Sequence, residues 1–256
     1  MHTAYMESVS EIDHATALVE QTESLGELVR TGDLSAPVPT CPGWSMNQLF
    51  RHVGRGNRWA AQMVSDQMST ALDPREAREG TPPEDVESAI VWLREGAQKV
   101  IDAVTEVGAD TPIWTFTGPK PSHWWIRRRL HEATVHRADG AFALGVPYEL
   151  SCELSADGIS EWLDLLSALP LDAQPLARGN SIHLQFDDGP TGHWLIHSGS
   201  EGVSWEPVDG PATVTVRGSA RNLMLALLRR LSSDQAGIEV SGNSEVWQHW
   251  LDHTGF

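Results

Sequence analysis

Apolar residues recur at helical spacing through the first half of the chain. In "SEIDHATALVEQTESLGELVR" the positions Ile12, Ala15, Leu18, Val19, Leu25, Leu28 and Val29 return every three or four residues, which predicts an amphipathic helix. The prolines and glycines of "TGDLSAPVPTCPGW" forbid regular structure after it. Ser45 then reads as an N-cap with Gln48 as its capping-box partner, opening a second helix that runs to about Met68. A polar, proline-containing loop follows. "EDVESAIVWLREGAQKVIDAV" predicts a third helix with Val86, Ile90, Leu93, Ala97, Val100 and Val104 as its buried stripe. "GADTPIWTFTGPKPS" connects it to a fourth helix over Ser122 to Leu144, with Ile126, Leu130, Ala133, Gly140 and Leu144 as its expected core stripe. Four helices of similar length predict an antiparallel bundle.

After "GVPYELS" the period shortens. One more helix is expected over Leu154 to Leu169, and alternation then takes over. Ile182, Leu184 and Phe186 alternate with polar residues, as do Trp194 and Ile196; "GVSWEPV" and "ATVTVRG" read as two further strands. "SARNLMLALLRRL" returns to helix, "GIEVSG" suits an edge strand and "SEVWQHWLDH" a closing helix. The expected fold class is therefore α+β. An antiparallel four-helix bundle fills residues 1–147, and a smaller α+β domain with a mostly antiparallel sheet fills residues 148–256.

Composition fits that plan. The 256 residues are 40% hydrophobic, enough for two cores. A formal charge of −17 argues against non-specific binding to nucleic acid or to an anionic membrane. Two cysteines, Cys41 and Cys152, provide no disulfide framework, and the N-terminal stretch lacks a basic start with an apolar run. A reducing cytoplasm is the expected location, and a monomer the expected state. Cys41, in a loop before Pro-Gly, reads as a small buried residue rather than a reactive thiol. Trp59, Trp114, Trp124 and Trp125 read mainly as packing, although eleven tryptophans leave some to wall a substrate pocket.

Candidate chemistry concentrates in "LHEATVHRAD", residues 130–139. It resembles the zinc-protease motif H-E-x-x-H with one residue too many. On a helix, five residues turn the face by about 140°, so His131 and His136 cannot hold one ion together. Glu132 and His136, four apart, lie only about 40° from each other and share a face, which Asp139 also joins. That leaves a Glu–His chelate. The same spacing also suits a surface pair, or one satisfied by Arg127, Arg128 and Arg129. A second helix has to complete a metal site, and His52 is its candidate, with Leu49 and Val53 as inward neighbours. Two histidines and a carboxylate leave a coordination position open, as in catalytic zinc sites. Asp139 suits an outer acceptor for an imidazole N–H. His123 and His131 could line the pocket mouth, although nothing in the spacing requires it. His183, His193 and His197 alternate with apolar residues and are expected to face solvent, and His2, His14, His249 and His253 lie near termini or on polar faces.

"VPTCPGWSMNQLFRHVGR" followed by "WWIRRRLHEATVHRADG" resembles the mycothiol-dependent maleylpyruvate isomerase family, relatives of the DinB-like four-helix metalloproteins. "PATVTVRGSARNLMLALLRRL" and "GIEVSGNSEVWQHWL" are similar to that family's sterol-carrier-like C-terminal domain. The resemblance implies a divalent metal, zinc first, on His52, Glu132 and His136, with mycothiol as co-substrate. It also implies a C-terminal arginine used in activity, for which Arg217, Arg221, Arg229 and Arg230 all qualify. One departure is Ala138, where the family often has an aromatic residue before the helix-4 acid. The implied activity is a thiol-dependent S-transferase or cis–trans isomerase acting on a small electrophile or enoate. The alternative is a non-catalytic small-molecule-binding protein with a structural metal.

Overall fold

The computed structural model describes residues 12–169, 174–189, 192–199 and 202–254, so the N-terminal His2 lies outside the described residues. Two compact units divide the chain, Asp13–Tyr148 and Glu149–Phe256.

The first unit is a four-helix bundle of α1 (His14–Thr31), α2 (Met46–Ser65), α3 (Val86–Val107) and α4 (Trp124–Leu144). Each start has a local cause. The Asp13 carboxylate accepts from the backbone N–H groups of Ala15 and Thr16, so α1 begins after Ile12 and not before it. Ser45 and Gln48 form the expected capping box on α2, which ends at Ser65, three residues short of expectation. Asp85 caps α3 through Ser88. Ser122 does not cap α4. Its hydroxyl instead donates to the carbonyls of Gly108 and Ala109 and ties the start of α4 to the end of α3. The α3–α4 connection carries a two-residue hairpin, β1 (Pro112–Ile113) and β2 (Lys120–Pro121). Trp59, Trp114, Trp124, Trp125 and Phe116 form one edge-to-face aromatic cluster, so these tryptophans pack against one another.

Two helices depart from the expected stripes. In α3 the buried line runs through Ala89, Trp92, Leu93, Gly96, Ala97, Val100, Ala103 and Val104, while Val86 in the first turn is exposed. In α4 no stripe exists: Arg128 to His136 are buried without interruption, as are Ala138 to Ala141. A helix surrounded by its neighbours has no solvent face to give it a period. Its charged residues are therefore buried and must find partners. Glycines in α2 let both neighbours approach closely: a Cβ on Gly54 would strike the Trp92 ring of α3, and one on Gly56 would stand 2.5 Å from the Arg129 guanidinium of α4.

The second unit begins with α5 (Cys152–Ala168) and holds a five-stranded sheet of order β5-β4-β3-β6-β7. Its strands are β3 (Ser181–Phe186), β4 (His193–Ser198), β5 (Val203–Glu206), β6 (Val214–Gly218) and β7 (Glu239–Gly242). Only the β3–β6 pair is parallel, and β7 is an edge strand as its sequence indicates. Helices α6 (Ala220–Leu227), α7 (Ser233–Ala236) and α8 (Ser244–His253) complete the unit. Among the described residues no helix is long and apolar enough to cross a membrane.

One expectation fails on this sheet. His183 is on the face opposite Ile182 and Leu184, as alternation requires, yet it is only 4% exposed. Alternation fixes which face a side chain takes but not what covers that face. The connection from β5 to β6 brings Asp209 to His183, and Gly210 against Leu195. The His193 side chain is also largely buried, and His197 is half-buried.

Candidate metal centre

Helix α4 places Glu132 and His136 on one face, one turn apart, and α2 brings His52 to meet them. His52 Nε2 stands 3.5 Å from Glu132 Oε2, and His136 Nε2 stands 3.7 Å from the same oxygen. The two imidazole rings are edge to face, 4.9 Å between centroids. Ligands of a tetrahedral ion at ~2.1 Å stand roughly 3.4 Å from one another, so these spacings suit a shared divalent ion. Cys41, His136 and Asp139 also come within metal-binding distance of one another.

Each donor is held by its surroundings. His136 Nδ1 is 2.8 Å from Asp139 Oδ2, which commits that nitrogen to the carboxylate and leaves Nε2 for the shared point. Asp139 is completely buried. Its other oxygen accepts from Thr40 Oγ1 at 2.6 Å, and the Cys41 thiol donates to Oδ2 at 3.5 Å. Thr40 and Cys41 reach Asp139 because the proline-rich loop folds back at Val38, whose N–H donates to the Trp44 carbonyl. Trp44 in turn stands against both His52 and His136. Cys41 is half-buried, not the buried packing residue expected from sequence.

Glu132 is gripped by two guanidinium groups. Arg128 donates to Oε1, while Arg129 Nη1 lies 3.6 Å from Oε2. Thus Oε1 is taken, and Oε2 faces the two imidazoles. Burial opposes ionisation of this carboxyl, but Arg128, His52, Arg129 and His136 together hold it well below the usual carboxylate range. Arg129 is itself steadied by Asn57 Oδ1 at 2.9 Å and by the Val53 carbonyl, and burial pulls its pKa down to about 10. The arginine partners that spacing left open are therefore real, and they coexist with the histidine contacts.

His52 differs from the other two. Its side chain is 42% exposed, more than its apolar neighbours suggest, so the cluster is open on that side. Desolvation lowers the His52 pKa below its ordinary value, with Glu132 opposing the shift. His131, although buried, is outside the cluster. His123, expected at a pocket mouth, has Nδ1 2.9 Å from the carbonyl of Ala109. In the second unit Arg217 pairs with Asp187 and Arg221 with Glu149, while Arg230 donates to the Leu228 carbonyl.

Sequence reasoning did not single out Thr40 or Trp44. Both are in the irregular loop, where no period exists to give a direction. The available signal was adjacency: Trp44 immediately precedes the Ser45 cap of the helix that carries His52.

Comparison with known proteins agrees along the chain. Residues 15–141 match the Mycothiol maleylpyruvate isomerase N-terminal domain, and residues 153–249 match the MDMPI C-terminal domain. No curated protein matches. Among solved structures, the crystal structure of the mycothiol-dependent maleylpyruvate isomerase has a TM-score of 0.57 at 15% identity, covering 89% of this chain and 91% of that one. A histidine-to-alanine mutant of the same protein gives the same values. At that identity the likeness speaks for the fold, and the two domain matches speak for ancestry: the chain belongs to the mycothiol-dependent maleylpyruvate isomerase family.

Proposed function

We propose that the protein is a metal-dependent enzyme that uses a low-molecular-weight thiol, mycothiol, as its nucleophile. Its reaction is S-transfer to a small electrophile or cis–trans isomerisation of an enoate. The observation that carries this reading is the convergence of His52 Nε2, Glu132 Oε2 and His136 Nε2, with His136 Nδ1 committed elsewhere. These three residues would hold one divalent ion, zinc first, and an inert structural zinc ordinarily takes a fourth protein ligand. Bound there, the ion would keep a thiol deprotonated near neutral pH, where a free thiol of pKa about 8.5 is mostly protonated.

The chain's own groups do the rest. Asp139 fixes the tautomer and direction of His136, and Arg128 fixes the rotation of the Glu132 carboxylate. The half-exposed side of His52 leaves a way in for a thiol and a substrate. Arg128 and Arg129 add positive charge beside Glu132, which favours an anionic partner such as a thiolate or a carboxylate substrate. Isomerisation of an enoate requires addition of the thiol, rotation about the resulting single bond and departure of the same thiol. Retention of the adduct makes the reaction a transfer.

Cobalt exchange tests the reading. Mycothiol, or a close cysteinyl analogue, should add a saturable near-ultraviolet charge-transfer band to the cobalt protein, and no band to the His52→Ala protein. With a cis-enoate such as maleylpyruvate the complex should isomerise it, or accumulate a thioether with another electrophile. A cobalt spectrum that millimolar mycothiol leaves unchanged would remove the thiol mechanism and favour a binding protein with a structural metal.

A further inference from the structure

The second unit contains a histidine–carboxylate cluster of its own. In the β3–β4 ladder His193 pairs with Gln185 and Leu195 with His183, so the two histidines are diagonal neighbours on the same face of the sheet. Their rings are nearly parallel, 13° apart, with centroids at 5.1 Å. His183 Nε2 and His193 Nδ1 point at each other across 3.0 Å. Asp209 Oδ1, on the β5–β6 connection, is 3.6 Å from the first nitrogen and 4.0 Å from the second.

Three features make this more than a pair of bonded rings. First, three donor atoms from three segments come together at 3.0, 3.6 and 4.0 Å, which brackets the roughly 3.4 Å expected between ligands of one tetrahedral ion. Second, no lysine or arginine pairs with Asp209 among the described residues, so its charge is not already neutralised by a guanidinium or an ammonium group. Third, the cluster is graded from inside to outside: His183 is buried, the His193 side chain is 10% exposed and that of Asp209 is 74% exposed. An ion arriving from solvent would meet the carboxylate first. Without an ion, one imidazole must donate its N–H to the other. With one, that proton moves to the far nitrogen of the same ring, and both facing lone pairs are available.

We propose that His183, His193 and Asp209 form a second metal site, selective for imidazole-preferring divalent ions such as Cu(II), Ni(II) and Zn(II). Two imidazoles and one carboxylate suit these ions and not Mg(II) or Ca(II), which prefer all-oxygen shells. The site is separate in residues from the helix-bundle cluster and does not depend on the function proposed for it.

Copper titration of the full-length protein tests this. Cu(II) binding is followed by electron paramagnetic resonance, with metal content per folded chain measured after gel filtration. The wild type should bind one equivalent more than His193→Ala, and the signal lost should show coupling to two nitrogens. The His52→Ala protein should keep that equivalent, which separates this proposal from the bundle site. Asp209→Asn changes an exposed residue that should not affect folding. It should weaken the second equivalent at least ~10-fold, the lower end of what even an outer-shell change costs a metal site. Equal copper stoichiometry in wild type and His193→Ala, or affinity unchanged in folded Asp209→Asn, would overturn the proposal.

Discussion

Two clusters in this molecule share a composition, two imidazoles and one carboxylate, but differ in how they are held. In the bundle, the carboxylate of Glu132 is buried between Arg128 and Arg129, and His136 is braced by Asp139, itself braced by Thr40 and Cys41. In the sheet, Asp209 stands mostly in solvent, and its ion pairs are with the two histidines. A buried carboxylate needs permanent partners, because an uncompensated charge inside a protein costs several kcal/mol. An exposed one does not. The bundle cluster is thus pre-organised and its donors have little freedom. The sheet cluster has one exposed donor with no brace of its own beyond the two histidines among the described residues, and it should bind more weakly and less selectively.

The largest expected effect comes from removing the bundle carboxylate. Glu132→Gln keeps the shape but leaves Arg128 and Arg129 without their anion. Breaking a buried ion pair in this way costs about 3–5 kcal/mol. The variant should also fail to retain metal, because the three proposed ligands have no redundancy. The matching change at the sheet, Asp209→Asn, should shift stability by less than about 0.5 kcal/mol. Denaturant melts of the two variants, with metal content measured in parallel, check the contrast. Equal costs would mean that Glu132 is not the keystone its contacts suggest.

A smaller effect is expected one shell out. Asp139→Asn preserves volume but turns a charged acceptor into an amide, so His136 loses its anchor at Nδ1. Metal affinity and any metal-dependent activity should fall about 10–100-fold, the usual range for outer-shell partners. Competition against a chelator gives the number. Among the described residues no carboxylate braces the sheet histidines from behind, and this difference predicts that the sheet cluster's affinity is the lower of the two.

The two clusters were also unequally legible. Helical spacing alone rejected His131 with His136 and retained Glu132 with His136, because a helix fixes angles between its own residues. His52 was harder. Its apolar neighbours suggested an inward direction, and the side chain proves nearly half exposed while its Nε2 still reaches Glu132. In the sheet, alternation gave the face of His183 correctly and its burial wrongly, since alternation does not show that the His193 ring and the connection carrying Asp209 come up to that face. Helix α4 failed in the opposite sense. The stripe of Ile126, Leu130, Ala133, Gly140 and Leu144 covers only part of what is buried, because the helix is enclosed on nearly all sides and its charged residues are buried with it. Loop residues Thr40 and Trp44 had no period to read. What is legible locally is geometry within one element; what is not is contact between distant segments.

Acidification should weaken the metal-free protein in two stages. Desolvation depresses the His52 pKa, so between the folded value and 6.5 the unfolded chain holds a proton there that the folded chain does not. Stability therefore declines as pH falls below 6.5. Glu132 is also depressed, from 4.5, so its contribution is fully present above that value and is lost as pH falls through its lower folded pKa. His52→Gln should flatten the first stage and leave the larger part of the second, which Arg128, Arg129 and His136 still hold. Unfolding free energies measured from pH 7 to pH 2 on the wild type and this variant decide it. A first stage equally steep in both would assign it to another group, with His183 the next candidate because burial lowers its pKa too.

The smallest effect on metal content is expected at His131, although it is next to Glu132 in sequence and is as buried as His136. Five residues on a helix separate the two histidines by about 140°, so His131 points away from the face that carries Glu132 Oε2. Its removal leaves a cavity in α4, which destabilises the bundle but takes no donor from the shared point. His131→Ala should therefore melt earlier than wild type while carrying the same metal per folded chain. Metal analysis after gel filtration, which removes unfolded protein, separates the two consequences. Metal loss as complete as that of His136→Ala would mean that His131 supports the bundle cluster in a way its helical phase does not allow. Retention would show that the cluster is defined by direction on the helix and not by proximity along the chain.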